Sequence, residues 1–128
     1  MPHNSLTRLG HDDIDQDHEH FYQLINRIQV CTNQELAGLF QQLLQLAQPH
    51  FDRENHLMQI SGFSAQEEHK SEHARLLGEL RQFKRGIDRG NQVFARAYLR
   101  DRLPQWFELH LQTLDSALVA HLAQQDLS

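Results

Sequence analysis

One cysteine, three prolines and six glycines are all that 128 residues contain of the types that staple or interrupt a chain. Cys31 has no partner within the chain, which excludes an internal disulfide framework and any site built from several thiolates, and suits a reducing cytoplasm. With few β-branched residues as well, long tracts of Leu, Gln, Glu, Arg and Ala are left free to form helices. Positive charge is scarce too. Twelve Lys and Arg against 17 Asp and Glu give a net charge of -5, so no basic field recruits nucleic acid or an anionic membrane. The opening MPHNSLTRLGHDD has no apolar core for a signal peptide, and no apolar run approaches the roughly 20 residues that span a bilayer. The expectation is a soluble, unprocessed protein forming one domain over 1–128, with 1–13 as an N-terminal arm and 14–125 as the folded body.

Histidine is what the chain has in excess, ten in all. Their placement follows from the apolar periodicity, which predicts four helices and no strands. The first runs from about Asp15 to Val30, with Ile14, His18, Phe21, Tyr22, Ile25 and Ile28 on one stripe. Thr32 and Glu35 form a capping box that opens the second. Its stripe passes from Leu36, Leu39, Phe40 and Leu43 to Ala47, His50, Glu54 and Met58, and Pro49 predicts a kink just before His50. Ser64 and Glu67 predict a second capping box, and the third helix carries His69, His73, Leu76, Leu77, Leu80, Phe83 and Ile87 inward. Gly86 to Asn91 reads as a turn. The fourth helix spans about Gln92 to Gln124, broken or kinked at Pro104, with Trp106, His110, Leu111, Leu114, Leu118 and Leu122 inward and Asp115 on the same side. Similar lengths and short connections predict an all-α, up-down-up-down antiparallel four-helix bundle.

Seven ionisable side chains fall on those inward stripes: His18, His50, Glu54, His69, His73, His110 and Asp115. His50 with Glu54, and His69 with His73, are i,i+4 pairs that point the same way to within about 40° on a helix. A single inward histidine is ordinarily a hydrogen-bonded core residue. Seven inward ionisable groups are not, because each buried carboxylate costs several kcal/mol unless compensated, against a net stability of about 5–15 kcal/mol for a small domain. Metal cations supply the compensation. Five imidazoles and two carboxylates without thiolates suit iron, manganese or zinc, and bridging carboxylates suit two ions. Once a hydroxide bridges two octahedral ions as well, the donors fall one short of saturation. One position remains for a small ligand. His3, His11, His20, His56 and His121 read as surface or boundary residues.

In order along the chain, IDQDH at His18, HFDRE from His50 to Glu54, HKSEH from His69 to His73 and WFELHLQTLD from Trp106 to Asp115 resemble the hemerythrin family, in particular its single-domain bacterial members. The resemblance covers nearly the whole chain and implies a non-haem di-iron centre that binds O2 reversibly. It implies that His69, His73 and His110 hold one iron, His18 and His50 the iron with the open position, and that Glu54, Asp115 and an oxo or hydroxo group bridge the two. Phe21, Phe51, Trp106, Phe107 and Leu111, each near a ligand along its helix, are the expected apolar lining of the O2 pocket, and Tyr22 a core residue beside it. Phe107 stands where relatives often carry leucine, and Asn55 where a second acidic residue is common. Such a site serves storage, delivery or scavenging of O2, with nitric oxide and small anions such as azide as other ligands. The same centre also suits an O2, nitric oxide or redox sensor acting on a partner protein in trans. Imidazole-rich ligation and the lack of a recognisable proton-delivery group weigh against an enzyme that turns over peroxide or nitric oxide.

Overall fold

His11, expected at a surface or boundary, is buried, and its Nδ1 accepts the Ile14 amide at 3.3 Å as the N-cap of the first helix. In the computed structural model, which describes residues 9–125, α1 therefore spans Asp12–Val30 and begins three residues before the apolar stripe suggests. Residues 1–8 of the expected N-terminal arm, His3 among them, lie outside the described residues. Leu9 and Gly10 donate their amides to the Asp15 carboxylate at 2.7 and 3.0 Å, which fastens the chain just ahead of the helix.

The capping box of Thr32 and Glu35 opens α2, Asn33–Ser61, as expected. This helix runs through Pro49 without interruption. Proline deprives the Gln45 carbonyl of its usual amide, but both residues are exposed, so the lost bond is not buried. The second capping box does not form. Gly62 ends α2 in the left-handed conformation (φ 67°) that only glycine adopts freely, and buried Phe63 then accepts the Gln66 amide through its carbonyl. Ser64 and Ala65 are used up in that turn, so α3, Gln66–Asp88, starts after Ala65 with no side-chain cap, its first turn carrying Glu67 and Glu68 instead.

A turn at Gly90 (φ 89°) leads to the last rod, which is segmented. Helix α4, Val93–Asp101, stops at Arg102, and α5, Leu103–His110, carries Pro104 in its first turn, where a missing amide costs little. A π-helical turn, Leu111–Asp115, then passes into α6, Ser116–Gln124. The helix α2 packs on α1 and α3, and α4 on the same two, closing a four-rod bundle; no strand occurs among the described residues. No helix of the described residues is long and apolar enough to cross a membrane.

The apolar core is split in two. A large cluster contains Phe21, Phe51, Leu76 and Leu111, and a smaller one contains Ile14, Phe63, Met58 and Leu118. On α1, α2 and the last rod the ionisable stripe residues lie between a member of one cluster and a member of the other, and on α3 His69 and His73 lie between Phe63, just ahead of the helix, and Leu76. They form a polar layer across the bundle, with apolar packing above and below it.

Candidate metal centre

Each rod places its donors by ordinary helical spacing, except the last. His50 and Glu54 on α2, and His69 and His73 on α3, are one turn apart and share a face. His110 and Asp115 are five residues apart, which on an α-helix would separate them by roughly 140°. The π turn Leu111–Asp115 absorbs the extra residue, because its i→i+5 bonds bring residues five apart onto one face. The sequence reading put Asp115 on the inward side without seeing that this required a change of helix type.

All seven predicted ligands meet in the polar layer, and none is more than 5% exposed. Each histidine turns its Nε2 inward. Glu54 Oε1 lies 3.1 Å from His73 Nε2 and 3.3 Å from His69 Nε2, while its Oε2 lies 2.9 Å from His50 Nε2 and 3.8 Å from His18 Nε2. Asp115 divides in the same way: Oδ1 is 3.0 Å from His69 and 3.1 Å from His110, and Oδ2 is 2.8 Å from His18. Each carboxylate thus offers one oxygen to a three-histidine set and the other to a two-histidine set.

These donors fit metal ions better than they fit one another. Glu54 Oε1 and Oε2, Asp115 Oδ1 and His73 Nε2 are buried without a hydrogen bond of normal geometry, although other donors stand close by. His69 and His110 face each other nitrogen to nitrogen at 3.2 Å. Ligands bound at about 2.0–2.2 Å and at right angles lie about 3 Å apart, close to the spacings found here. Two groups, Glu54 with His69, His73, His110 and Asp115, and Glu54 with His18 and His50, each converge tightly enough for one ion.

Without metal, the layer is balanced by protons. Burial raises the Glu54 carboxyl, but the charge of His50 and the close imidazoles of His50, His69 and His73 hold it well below the usual carboxylate range. Burial and the Glu54 charge raise Asp115, and its contacts with His110 and His18 outweigh them and keep it low. Burial disfavours a charged His50 or His69. The carboxylates override it, raising His50 to about 10 and His69 to about 9. His73 goes the other way: burial, with His69 and His110 adjacent, lowers it despite Glu54. The imidazolium forms of His50 and His69 therefore face the carboxylates of Glu54 and Asp115.

Outside the layer are groups that spacing did not reveal. Asp17 Oδ2 lies 3.1 Å from His50 Nδ1 and pairs with Arg53, and Asn55 Oδ1 lies 3.0 Å from His73 Nδ1. Asp17 comes from α1 and His50 from α2, so no periodicity links them. Phe21, Phe51, Trp106 and Phe107 line a narrow cavity, too tight as it stands for a water molecule, that also touches His50, His110 and Asp115. Phe51 stacks on His73 and Trp106 on His110, with ring centroids 4.0 and 4.5 Å apart. Leu111 is buried in the core but does not line that cavity, and Tyr22 is half-buried against the same core. His20 and His56 are exposed. His121 donates Nε2–H to the Ser61 carbonyl at 2.9 Å, tying α6 to the end of α2 away from the cluster.

The profile of the hemerythrin HHE cation binding domain matches residues 9–126. The chain belongs to the hemerythrin family. It is 26% identical over 122 residues to a bacteriohemerythrin of Ralstonia nicotianae, covering 95% of this chain and 88% of that protein. It is 24% identical over 102 residues to the myohemerythrin of Sipunculus nudus, covering 80% of this chain and 77% of the relative. No solved structure matches significantly. A cation-binding family and a buried histidine and carboxylate layer that suits cations are two independent findings. They agree on what this hemerythrin-family chain holds in its centre.

Proposed function

We propose that this protein binds O2 reversibly at a non-haem di-iron centre held by His18, His50, Glu54, His69, His73, His110 and Asp115, as a carrier, store or scavenger rather than an enzyme. The observation that carries this reading is the division of Glu54 and Asp115, one oxygen toward each histidine set, which is the arrangement two bridged ions need. His69, His73 and His110 would hold one iron and His18 and His50 the other. When bound, the iron pair, bridged also by an oxo or hydroxo group, supplies the two electrons that O2 takes up and returns.

The chain's own residues shape that chemistry. The His18 and His50 set has one protein donor fewer than its partner, so an open position would fall on that side. The tight cavity lined by Phe21, Phe51, Trp106 and Phe107 touches His50, so a small guest would enter an apolar place beside it once these rings shift. Phe107 sits with its ring centroid 5.8 Å from that of His18 and 4.9 Å from that of Phe21, so aromatic carbon keeps water away from this flank. Exclusion of water slows loss of the bound guest in charged form. Nitric oxide and azide fit the same vacancy. Cys31 as the single thiol agrees with a reducing, cytoplasmic setting.

Stopped-flow mixing of the anaerobic, iron-loaded protein with O2 tests the proposal. A visible absorption band that forms on mixing and vanishes on degassing is expected, through repeated cycles. Rapid one-way conversion to the ferric form with release of peroxide would contradict it.

A further inference from the structure

Because all five ligand histidines turn Nε2 inward, each presents Nδ1 to the surrounding protein. What that nitrogen meets differs from ring to ring. Among the described residues, Nδ1 of His18, His50, His69 and His110 forms no hydrogen bond of normal geometry, and His73 Nδ1 meets the neutral amide oxygen of Asn55. His50 Nδ1 meets a carboxylate, Asp17 Oδ2, at 3.1 Å. Asp17 is largely shielded at 12% exposure, and from its other side Arg53, 46% exposed, pairs with the same oxygen. Among the contacts seen for the described residues, His50 is therefore the ligand whose Nδ1 stands against an anion, and that anion is held from the surface by a cation one turn along α2.

We propose that Asp17, tethered by Arg53, is a positioning residue for the metal ion held by His18 and His50, and that it makes the two ions of the centre electronically unequal. The inference rests on the di-iron reading. A carboxylate that accepts the Nδ1 proton fixes the tautomer with the Nε2 lone pair inward, holds the ring plane and makes the imidazole a stronger donor. The anion also stabilises the more positive state of the metal behind that ring, easing the departure of an electron. Arg53 opposes this by neutralising part of the charge on Asp17. The ion with fewer protein donors, which is also the one carrying the vacancy, thus has the stronger backing. A surface salt bridge between α1 and α2 would show the same Asp17–Arg53 pair but no influence on the metal.

The test uses the full chain loaded anaerobically with ferrous iron, and three variants. Asp17→Ala should release one of its two irons to a chelator about 10- to 100-fold faster than the unaltered protein, with the other iron unchanged. Asp17→Asn, which keeps an oxygen acceptor, should restore retention while raising the reduction potential of the centre. Arg53→Gln should lower that potential, since Asp17 is then less neutralised. Opposite shifts from the two halves of one ion pair are not expected of a merely structural contact. Unchanged iron release from Asp17→Ala, or potentials that move together or not at all, overturns this inference alone. An unaltered chain that takes up fewer than two irons overturns it together with the di-iron reading.

Discussion

His110 Nε2 and Asp115 Oδ1 stand 3.1 Å apart although they lie five positions apart in the chain, a spacing that the π turn between them allows. An i,i+5 pair on a regular helix diverges by roughly 140°, whereas an i,i+4 pair diverges by about 40°. The extra residue also lets α6 continue with Leu118 and Leu122 in the core.

That relationship predicts opposite outcomes for two edits. Deleting exposed Thr113 leaves an i,i+4 pair on an ordinary helix, so the centre should keep two metal ions per chain. Inserting one alanine after Thr113 asks the turn to absorb a second residue, which it does not do, and Asp115 should swing off the face with loss of bound metal. Metal analysis of the two purified variants checks this, and retention after insertion with loss after deletion would refute it.

Removing a ligand outright should cost stability as well as metal. In His110→Ala the three-histidine set loses a donor, and the metal content should fall. Metal held at a free concentration 1,000 times its Kd adds roughly 4 kcal/mol to the folded state. The loaded protein should therefore melt on the order of 10–20 °C above the variant, by scanning calorimetry. Equal melting with full metal content would remove His110 from the centre.

Phe107 helps close the tight cavity beside His50. Phe107→Leu should speed entry of azide into the ferric protein and hasten autoxidation, each several-fold, at a stability cost of about 1 kcal/mol for an apolar exchange in the core. Stopped-flow traces with azide report the first effect and the decay of the oxygenated spectrum the second. Unchanged rates would mean that the guest enters elsewhere.

Protons stand in for metal in the apo chain, and the direction of its pH dependence follows. His50 and His69 are raised from 6.5 to about 10 and 9, so the stability they confer is complete below about pH 6.5 and lost as pH climbs toward 10. Glu54 and Asp115 are lowered, so their contribution is present above the usual carboxylate range and lost on acidification below it. Thermal melts of apo protein should therefore fall between pH 7 and 10, and loading at pH 7 should expel the protons of His50 and His69, read with a pH indicator. An apo melting temperature that rises over that range would contradict the assignment.

The four rods and most of the inward stripes were legible because 3.6-residue periodicity is written locally: Ile14, His18, Phe21, Ile25 and Ile28 announce one buried face, and His50 with Glu54 another. Where partners come from different rods, the sequence is silent. Nothing about Asp17 points to His50, and Asn55 reads as a departure from the family pattern until its oxygen is found beside His73. Helix ends were misread where tertiary packing won over local chemistry. Ser64 has the right residues after it for a cap, but the burial of Phe63 spends it in the turn. His11 looked like part of a loose arm and instead closes α1. Pro49 is carried inside α2, where it and Gln45 are both exposed.

The central claim is that seven side chains from all four rods hold two ions in one bridged centre. Anaerobic titration with ferrous iron, followed by oxidation and low-temperature magnetic measurement, tests it most directly. Two irons per chain, antiferromagnetically coupled and silent in electron paramagnetic resonance when diferric, are predicted. One iron per chain, or two irons giving separate high-spin ferric signals, would contradict the account.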